Sequence, residues 1–375
     1  MNKSLNSLGL MSGTSGDGVD ASVVNSDGKG YYKVLINKYF KYSDEISQNI
    51  YKLKRNINNI DDVKIFSTEI NDLERKITLF HSNVVSEFTK KKDFGIDLIG
   101  FHGQTILHSP KNKYSKQLGD GNLLSQLSKK KVIYNFRQND LFQGGEGAPL
   151  SPIFHQIIVK EKKIDLPVCI LNIGGISNLT LIKDFKQESL ISKDIGPGNC
   201  LIDEWIRRNK KGNFDRNGEF ASQGKTNKLI LDQALDDFEN IPANNLNSFD
   251  VNDFEINFLR GLDLEDGAST ITDFTSKIIA SNLIKIISKH NQNISRIILC
   301  GGGRKNKTLI ERIKRNSHNK LEFQTTDDYK VDGDFVESQA FAFLAIRSFL
   351  KLPISFPNTT GCKLPSTGGV LVKNF

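Results

Sequence analysis

The sequence predicts an α/β protein of two domains, and three observations carry that prediction. Gly9–Asp20 and Leu171–Thr180 each read as an apolar strand, a turn of Gly, Ser, Thr or Asn, and a second strand. Long stretches at helical spacing separate and follow them. At 375 residues the chain exceeds the usual single domain and can bury two cores.

The opening turn places the hydroxyls of Ser12, Thr14 and Ser15 among glycines, which let the backbone approach an anion and point N–H groups at it. Asp17 and Asp20 add carboxylates suited to Mg²⁺ beside that anion. Val19, Ala21 and Val23 alternate with Asp20 and Ser22, so a strand follows the turn. This excludes a P-loop, whose Gly-Lys-Ser/Thr opens a helix. A second pair of short strands is expected around Tyr31–Phe40. Ser43–Phe88 lacks Gly and Pro, and its stripes (Ile50, Leu53, Ile57, then Ile70, Leu73, Ile77, Phe80) predict two long helices. Leu98–Phe101 reads as a strand entering His102-Gly-Gln-Thr105, Leu118–Asn122 as a turn into a helix, and Val132–Phe136 as another strand. Arg137 and Asp140 follow, and Gly144–Pro149 suits a hinge or crossover between lobes.

The second half repeats the plan. After the Val168–Ile182 hairpin, Asp194-Ile-Gly-Pro-Gly-Asn199 places Asp194 ahead of a helix containing Leu201, Ile202 and Trp205. Asn240–Asp253 reads as a polar loop and Thr270–Lys289 as a long helix. Ile297–Gly303 is a buried strand running into three glycines, with a helix from about Lys307. That order faces a nucleotide well, because a helix N-terminus and bare backbone accept phosphate or a flat base. It is not a Rossmann fingerprint, since Gly-x-Gly-x-x-Gly is absent. A last helix spans Val336–Leu350, with Glu337 in its first turn and Pro353 beyond it.

Composition narrows the function. A net charge of +8 raises the question of nucleic acid, but the lysines are scattered, apart from Lys90–Lys92 and Lys129–Lys131, and no reading module accompanies them. The four cysteines show no Cys-x-x-Cys pairing and the six histidines no zinc-protease spacing. Free thiols, no signal-like apolar region and no run of membrane-spanning length lead us to expect a cytoplasmic protein.

The motifs together resemble the anhydro-N-acetylmuramic acid kinase family, within the actin, hexokinase and heat-shock-chaperone ATPase superfamily. The resemblance rests on Gly9–Asp20, Gly100-Phe-His-Gly-Gln-Thr105, Gln117–Gly121, Phe136-Arg137 with Asp140, and Gly144–Leu150. It continues through Asn172–Ile176, Asp194–Asn199, Asp266–Thr270, Cys300–Gly303 and Glu337–Ala345, in order along nearly the whole chain. Family members more often carry Asp-Phe-Arg where this chain has Asn135-Phe-Arg137, Asp-Thr-Gly-Pro where it has Asp194-Ile-Gly-Pro, and Lys-Ser where it has Asn247-Ser248. The first two departures spare the arginine and the aspartate, and the third touches one substrate-loop contact.

The resemblance implies a two-lobed actin-like ATPase (sugar kinase) fold, each lobe a mixed sheet flanked by helices, with ATP in a cleft. Expected boundaries are 1–135 and 136–350, with a 351–375 tail returning to the first lobe. The implied reaction uses ATP and water to open 1,6-anhydro-N-acetylmuramic acid and phosphorylate it at the 6-oxygen, a step of cell-wall recycling. Gly13, Thr14, Ser15, Gly16, Asp17, Gly18, Val19 and Asp20 would hold ATP phosphates, with Asp17 and Asp20 toward Mg²⁺. Asn172, Gly174 and Gly175 would meet the phosphates from the other lobe, and Gly301, Gly302 and Gly303 would flank the adenosine. Asp194 is the expected general base, its bland alternative being a helix N-cap. Glu337 would assist water or substrate, while His102, Gln104, Thr105 and Arg137 would bind the sugar. A homodimer is the default assembly, with no nucleic-acid or membrane partner. Two other readings stay open: a kinase of another sugar, and an ATP-driven binding module without transferase activity.

Overall fold

The computed structural model describes residues 4–90, 95–240, 249, 254–290, 294–317 and 321–375. Its strands are β1 (Leu5–Ser12), β2 (Gly18–Ser26), β3 (Tyr32–Lys41), β4 (Leu98–Ser109), β5 (Tyr114–Leu118) and β6 (Lys131–Tyr134). They continue as β7 (Val168–Ile173), β8 (Ile176–Ile182), β9 (Ile191–Pro197), β10 (Arg296–Cys300), β11 (Glu322–Thr325) and β12 (Val370–Val372). The chain divides into two compact units: Met1–Ile164 with Phe185–Leu190 and Phe335–Phe375, and Asp165–Asp184 with Ile191–Asp334.

The first unit carries a mixed sheet in the order β12-β6-β4-β1-β2-β3, with β5 paired to β4. β1 runs antiparallel to β2 and parallel to β4, which is parallel to β6. Alternation assigns the two faces. Leu8, Leu10, Val19, Ala21, Val23, Ile99 and Phe101 point to one side, where they form a core with Ile50, Leu53, Ile70, Leu73 and Ile77 of the helices Asp44–Asn56 and Ser67–Thr89. The other side receives the closing helix, Val336–Phe349. There Gly9 and Gly100 stand opposite one another across β1 and β4. A Cβ at Gly9 would collide with the Ser338 carbonyl, and one at Gly100 with that of Phe341. The helix therefore lies with its backbone directly on the sheet, and Ser22 Oγ meets Ser338 Oγ at 2.6 Å.

The second unit is built on a five-stranded sheet ordered β11-β10-β7-β8-β9. β7, β8 and β9 form an antiparallel meander, and β10 runs parallel to both β7 and β11. Leu171, Leu179, Ile195 and Leu299 of the sheet are buried with Trp205, Phe274, Ile278 and Ile313 of the helices Cys200–Arg208, Leu264–Lys289 and Lys307–Asn316.

Several expectations change. In place of a pair of short strands around Tyr31–Phe40 there is one strand, β3, which pairs with β2 along its length and absorbs a register shift between Val23 and Val24. Ser43–Phe88 forms three helices, a short one at Ile60–Ile65 starting at an Asn59 capping box. The units part at Ile164/Asp165 instead of 135/136, and the closing helix belongs to the first unit. Aromatic contacts explain this: Phe136 packs on Phe341 at 5.2 Å, and Phe154 meets Tyr32 at 5.3 Å and Phe343 at 5.6 Å. Gly144–Pro149 lies inside the first unit and is not a hinge between units. In place of free glycines, it is fastened by Asp140 Oδ2 to the Gly147 N–H (2.7 Å) and by Arg137 Nη1 to the Gly147 carbonyl (2.8 Å). Most of Asn240–Asp253, including Asn247 and Ser248, lies outside the described residues.

Two predictions follow from the packing. Gly100→Val should cost about 1–3 kcal/mol of stability, the range for overpacking a tight core, read as a lower urea midpoint. A midpoint equal to the parent's would mean the helix does not rest on that glycine. The second concerns acid. His81, His102 and His155 are buried in the first unit, and His108 is half-buried there. Burial lowers His81 to about 4 and His108 and His155 to about 3, with the Arg137 guanidinium also acting on His108. Burial, then the Arg137 charge, holds His102 well below its ordinary value. On unfolding each returns to about 6.5 and takes up a proton below that pH. Stability should therefore fall as pH drops below 6.5 toward the folded values, by up to about 1.4 kcal/mol per pH unit per histidine. Urea melts at pH 7.5 and 5.5 check this, and level midpoints would contradict it.

Candidate active site

The first hairpin turn is gripped from behind. Gly13 O accepts from Gln104 Nε2 (3.0 Å), Thr14 O from Lys54 Nζ (2.8 Å), Ser15 O from the Tyr51 hydroxyl (2.5 Å) and Asp17 O from the Tyr39 hydroxyl (3.1 Å). The carbonyl and N–H of a trans peptide point opposite ways. Drawing the Gly13 and Thr14 carbonyls back therefore sends the Thr14 and Ser15 amides forward. Gly16 N–H closes the turn onto Gly13 O at 3.2 Å, with φ near +63°, where glycine is at ease. Ser15 Oγ donates to Asp17 Oδ1 at 2.6 Å. At Gly13 an added Cβ would meet only Ser15 Oγ, at 3.9 Å, so the tip is open. Gly18 and Val19 begin β2, Val19 with its side chain in the core. Asp20 shares the sheet face of Ser22, the one that carries the closing helix, and Glu337 stands half-buried in that helix's first turn.

The second hairpin repeats the device with backbone alone. Gly174 O accepts from Asn199 N–H (2.8 Å) and Gly175 O from Gly198 N–H (2.8 Å) and Cys200 N–H (3.2 Å). The Gly175 and Ile176 amides consequently face away from that connection. Gly198 is required here, since a Cβ would collide with Gly174 O. Asn172 is buried at the end of β7, its Oδ1 accepting from the Cys300 thiol at 3.6 Å. Gly301, with φ near +77°, sits against the same oxygen. Gly302 opens a short 3₁₀ turn, and Gly303 packs against Ile173. Arg304 fastens this loop through Nη1 to Gly301 O (3.0 Å), and its guanidinium is held by Asp327 (2.6 Å) and Asp334 (2.6 Å).

Asp194 is not a helix N-cap. It lies within β9, paired with Asn178 of β8, and the helix starts six residues on at Cys200, after Asn199. The Gly196-Pro-Gly198 segment that looked like a helix entry is the backing of the second hairpin. Asp194 is buried, and its Oδ2 accepts the Phe249 N–H at 3.1 Å. It borders a cavity of about 530 Å³ walled by Leu179, Ile191, Phe238 and Phe249 and by the lysines 193, 285 and 289.

In the first unit, His102 and Arg137 come together. His102 Nδ1 lies 2.8 Å from the Gly103 carbonyl, an acceptor only, so the ring proton is on Nδ1. Nε2 then accepts from Arg137 Nη2 at 2.9 Å. The Asp140 carboxylate takes the Gly147 N–H and the Thr360 hydroxyl (2.7 Å each). Asn135 adopts φ near +57°, a conformation that Asn and Asp tolerate better than most, and turns the chain from β6 toward Arg137. Asn and Asp both meet that backbone demand, so the departure at this position leaves the turn intact. Gln104 proves to be a hairpin support, although its buried Oε1 has no partner among the described residues. Thr105 accepts from Gln117 Nε2 at 3.2 Å.

These features suit a nucleotide's phosphates: forward-facing amides, hydroxyls and an open glycine at the tip. Among the described residues no group of three or more His, Cys, Asp or Glu could hold a metal by itself. Mg²⁺ bound with phosphate needs only one or two carboxylates, which Asp17 and Asp20 can offer. Lys54, Tyr51, Tyr39 and Arg304 were not foreseen. Arg304 adjoins the glycines and could have been suspected, whereas the other three read as ordinary surface residues.

A family model described as anhydro-N-acetylmuramic acid kinase matches residues 6–374. The chain is 53% identical over 375 residues to an anhydro-N-acetylmuramic acid kinase of Pelagibacter ubique, covering 100% of both. It is 37% identical to the Zymomonas mobilis protein of that name, over 96% of this chain and 98% of the relative. A Streptomyces griseus ROK family glucokinase structure, at 11% identity and a TM-score of 0.39 over 91% of this chain and 99% of its own, is too loose a likeness to argue from. With a family model over nearly the whole length and a half-identical relative from end to end, the chain belongs to the anhydro-N-acetylmuramic acid kinase family.

Proposed function

We propose that this chain uses ATP and water to open the anhydro bridge of 1,6-anhydro-N-acetylmuramic acid and to phosphorylate the released 6-oxygen. The observation that carries this reading is the full-length, 53% identical relative bearing that kinase's name. Water adds to the anomeric carbon as the bond from that carbon to the 6-oxygen breaks. The freed oxygen takes the γ-phosphoryl group and ADP leaves. The water's proton goes to Asp194, a buried carboxylate beside a cavity. Gly13–Asp20 supply amides and hydroxyls to the phosphates, with Asp17 and Asp20 toward Mg²⁺, whose charge offsets that of the phosphate oxygens. Asn172, Gly174 and Gly175 supply the second set of amides, and Gly301–Gly303 a bare backbone for the adenosine.

Arg137 is assigned to an anionic group of the sugar. Neutral His102 steadies it, leaving the guanidinium its full charge. Gln104, through Oε1, and Thr105 complete the sugar contacts, and Glu337 assists the water or the substrate. A homodimer in the cytoplasm completes the proposal, and light scattering of the purified protein tests the assembly. Among the described residues no helix is long and apolar enough to cross a membrane.

The deciding experiment offers Mg-ATP with the anhydro sugar, N-acetylmuramic acid or N-acetylglucosamine in ¹⁸O-labelled water. A 6-phosphate with one labelled oxygen at the anomeric carbon, from the anhydro sugar only, is expected. Phosphorylation of an open sugar alone would leave a kinase without ring opening, and ADP without a sugar product would leave an ATPase. Asp194→Asn should lower kcat by about 10²–10⁴, the scale of general acid–base catalysis, with folding intact. Arg137→Ala should act chiefly on the sugar KM. Parent-like kinetics in both variants would remove these assignments.

A further inference from the structure

The first hairpin contains no lysine, yet an ammonium group reaches its turn from forty residues away. We propose that Lys54, assisted by Tyr51, is a positioning residue for nucleotide binding. It holds the Thr14 carbonyl from behind and so aims and strengthens the Ser15 N–H. The inference rests on the reading that this turn binds the ATP phosphates.

Three observations support it. Lys54 and Tyr51 lie one turn apart on the helix Asp44–Asn56 and take consecutive carbonyls, Thr14 O at 2.8 Å and Ser15 O at 2.5 Å. The helix is fixed against the same turn: Ile50 is fully buried, and a Cβ at Gly16 would lie 2.8 Å from its Cγ2. The helix is in turn anchored by Leu53 in the core, by the Ser43 cap on Ile46 N–H, and by the Glu45–Lys76 ion pair at 2.9 Å. The grip is thus built on a rigid element, not on a surface loop.

The chemistry is one of relay. Thr14 C=O and Ser15 N–H belong to a single peptide, and donation to the oxygen polarises that peptide so that its N–H donates more strongly. An ammonium polarises it more than a neutral donor does. Lys54 therefore acts on the phosphate through the backbone, with one of its three donors placed on the Thr14 carbonyl. The alternative is a cation that merely complements the last turn of its helix. A helix-end role would show in stability, whereas a positioning role shows in nucleotide affinity.

The test compares Lys54→Met, Lys54→Arg and Tyr51→Phe with the parent, in steady-state kinetics and equilibrium ATP binding. Lys54→Met should weaken ATP binding and raise the ATP KM about fivefold, the scale of one net hydrogen bond. The sugar KM, kcat and melting temperature should stay near the parent's. Lys54→Arg should restore most of the loss, and Tyr51→Phe should shift the ATP KM in the same direction by less. An unchanged ATP KM in Lys54→Met, an arginine variant no better than methionine, or equal losses for both substrates would overturn the proposal. Gly13→Val separates its failure from that of the underlying reading, since the open tip accommodates the side chain. A valine there that leaves ATP binding unchanged removes the phosphate hairpin and this inference with it. A valine that abolishes binding beside a parent-like Lys54→Met removes the inference alone.

Discussion

Each peptide unit presents its carbonyl and its amide on opposite sides, so a turn can offer N–H groups to a ligand only if something takes the carbonyls behind it. Both hairpins of this protein are organised by that constraint. In the first, side chains from β3, β4 and the helix Asp44–Asn56 take four carbonyls of the turn. In the second, the amides of Gly198, Asn199 and Cys200 take two. Much of the surrounding architecture can be traced to what must stand behind these turns. The pairing of β4 with β1 ends at Gln104, opposite Ser12, and β9 leads into Gly-Pro-Gly-Asn behind the turn between β7 and β8.

The closing helix obeys a related economy of space. Side chains normally hold a helix well off a sheet, but paired glycines at 9 and 100 let it rest on the strands themselves. This brings Ser338 to Ser22, two residues along β2 from Asp20 and on the same face, and fixes where Glu337 opens the helix. Gly9 and Gly100 open two of the stretches that carry the family resemblance, and in the structure their work is packing.

Polar burial in the first unit follows the same logic of mutual support. His102 gives up a charge that would cost too much in the core and becomes an acceptor for Arg137. Arg137 and Asp140 then hold Gly147 from its two sides, one at its carbonyl and one at its amide. A glycine-rich stretch read as a hinge or crossover is in this way fastened within its unit.

Much of the molecule was legible in the residues. Period-two alternation in Val19–Val23, apolar stripes along Ser43–Phe88 and the two Gly/Ser/Asn turns are local signals, carried by neighbours within a few positions. They sufficed for the hairpins and the family, and for helices along Ser43–Phe88, though not for the short third one at Ile60–Ile65. The setting of Asp194 was misread because Asp followed by Gly-Pro-Gly is equally a helix entry and a strand exit, and only pairing with β8 decides between them. The unit boundary was misplaced because Gly and Pro mark a bend without saying which surfaces meet beyond it. Lys54, Tyr51 and Tyr39 carry no local mark at all, since a lysine or tyrosine on a helix or edge strand looks the same whether it meets water or a carbonyl. The sequence by itself determined which segments can turn, pair and bury. Tertiary structure alone decided which distant donors stand behind each turn, because a hydrogen bond is set by distance in space and leaves no periodicity along the chain.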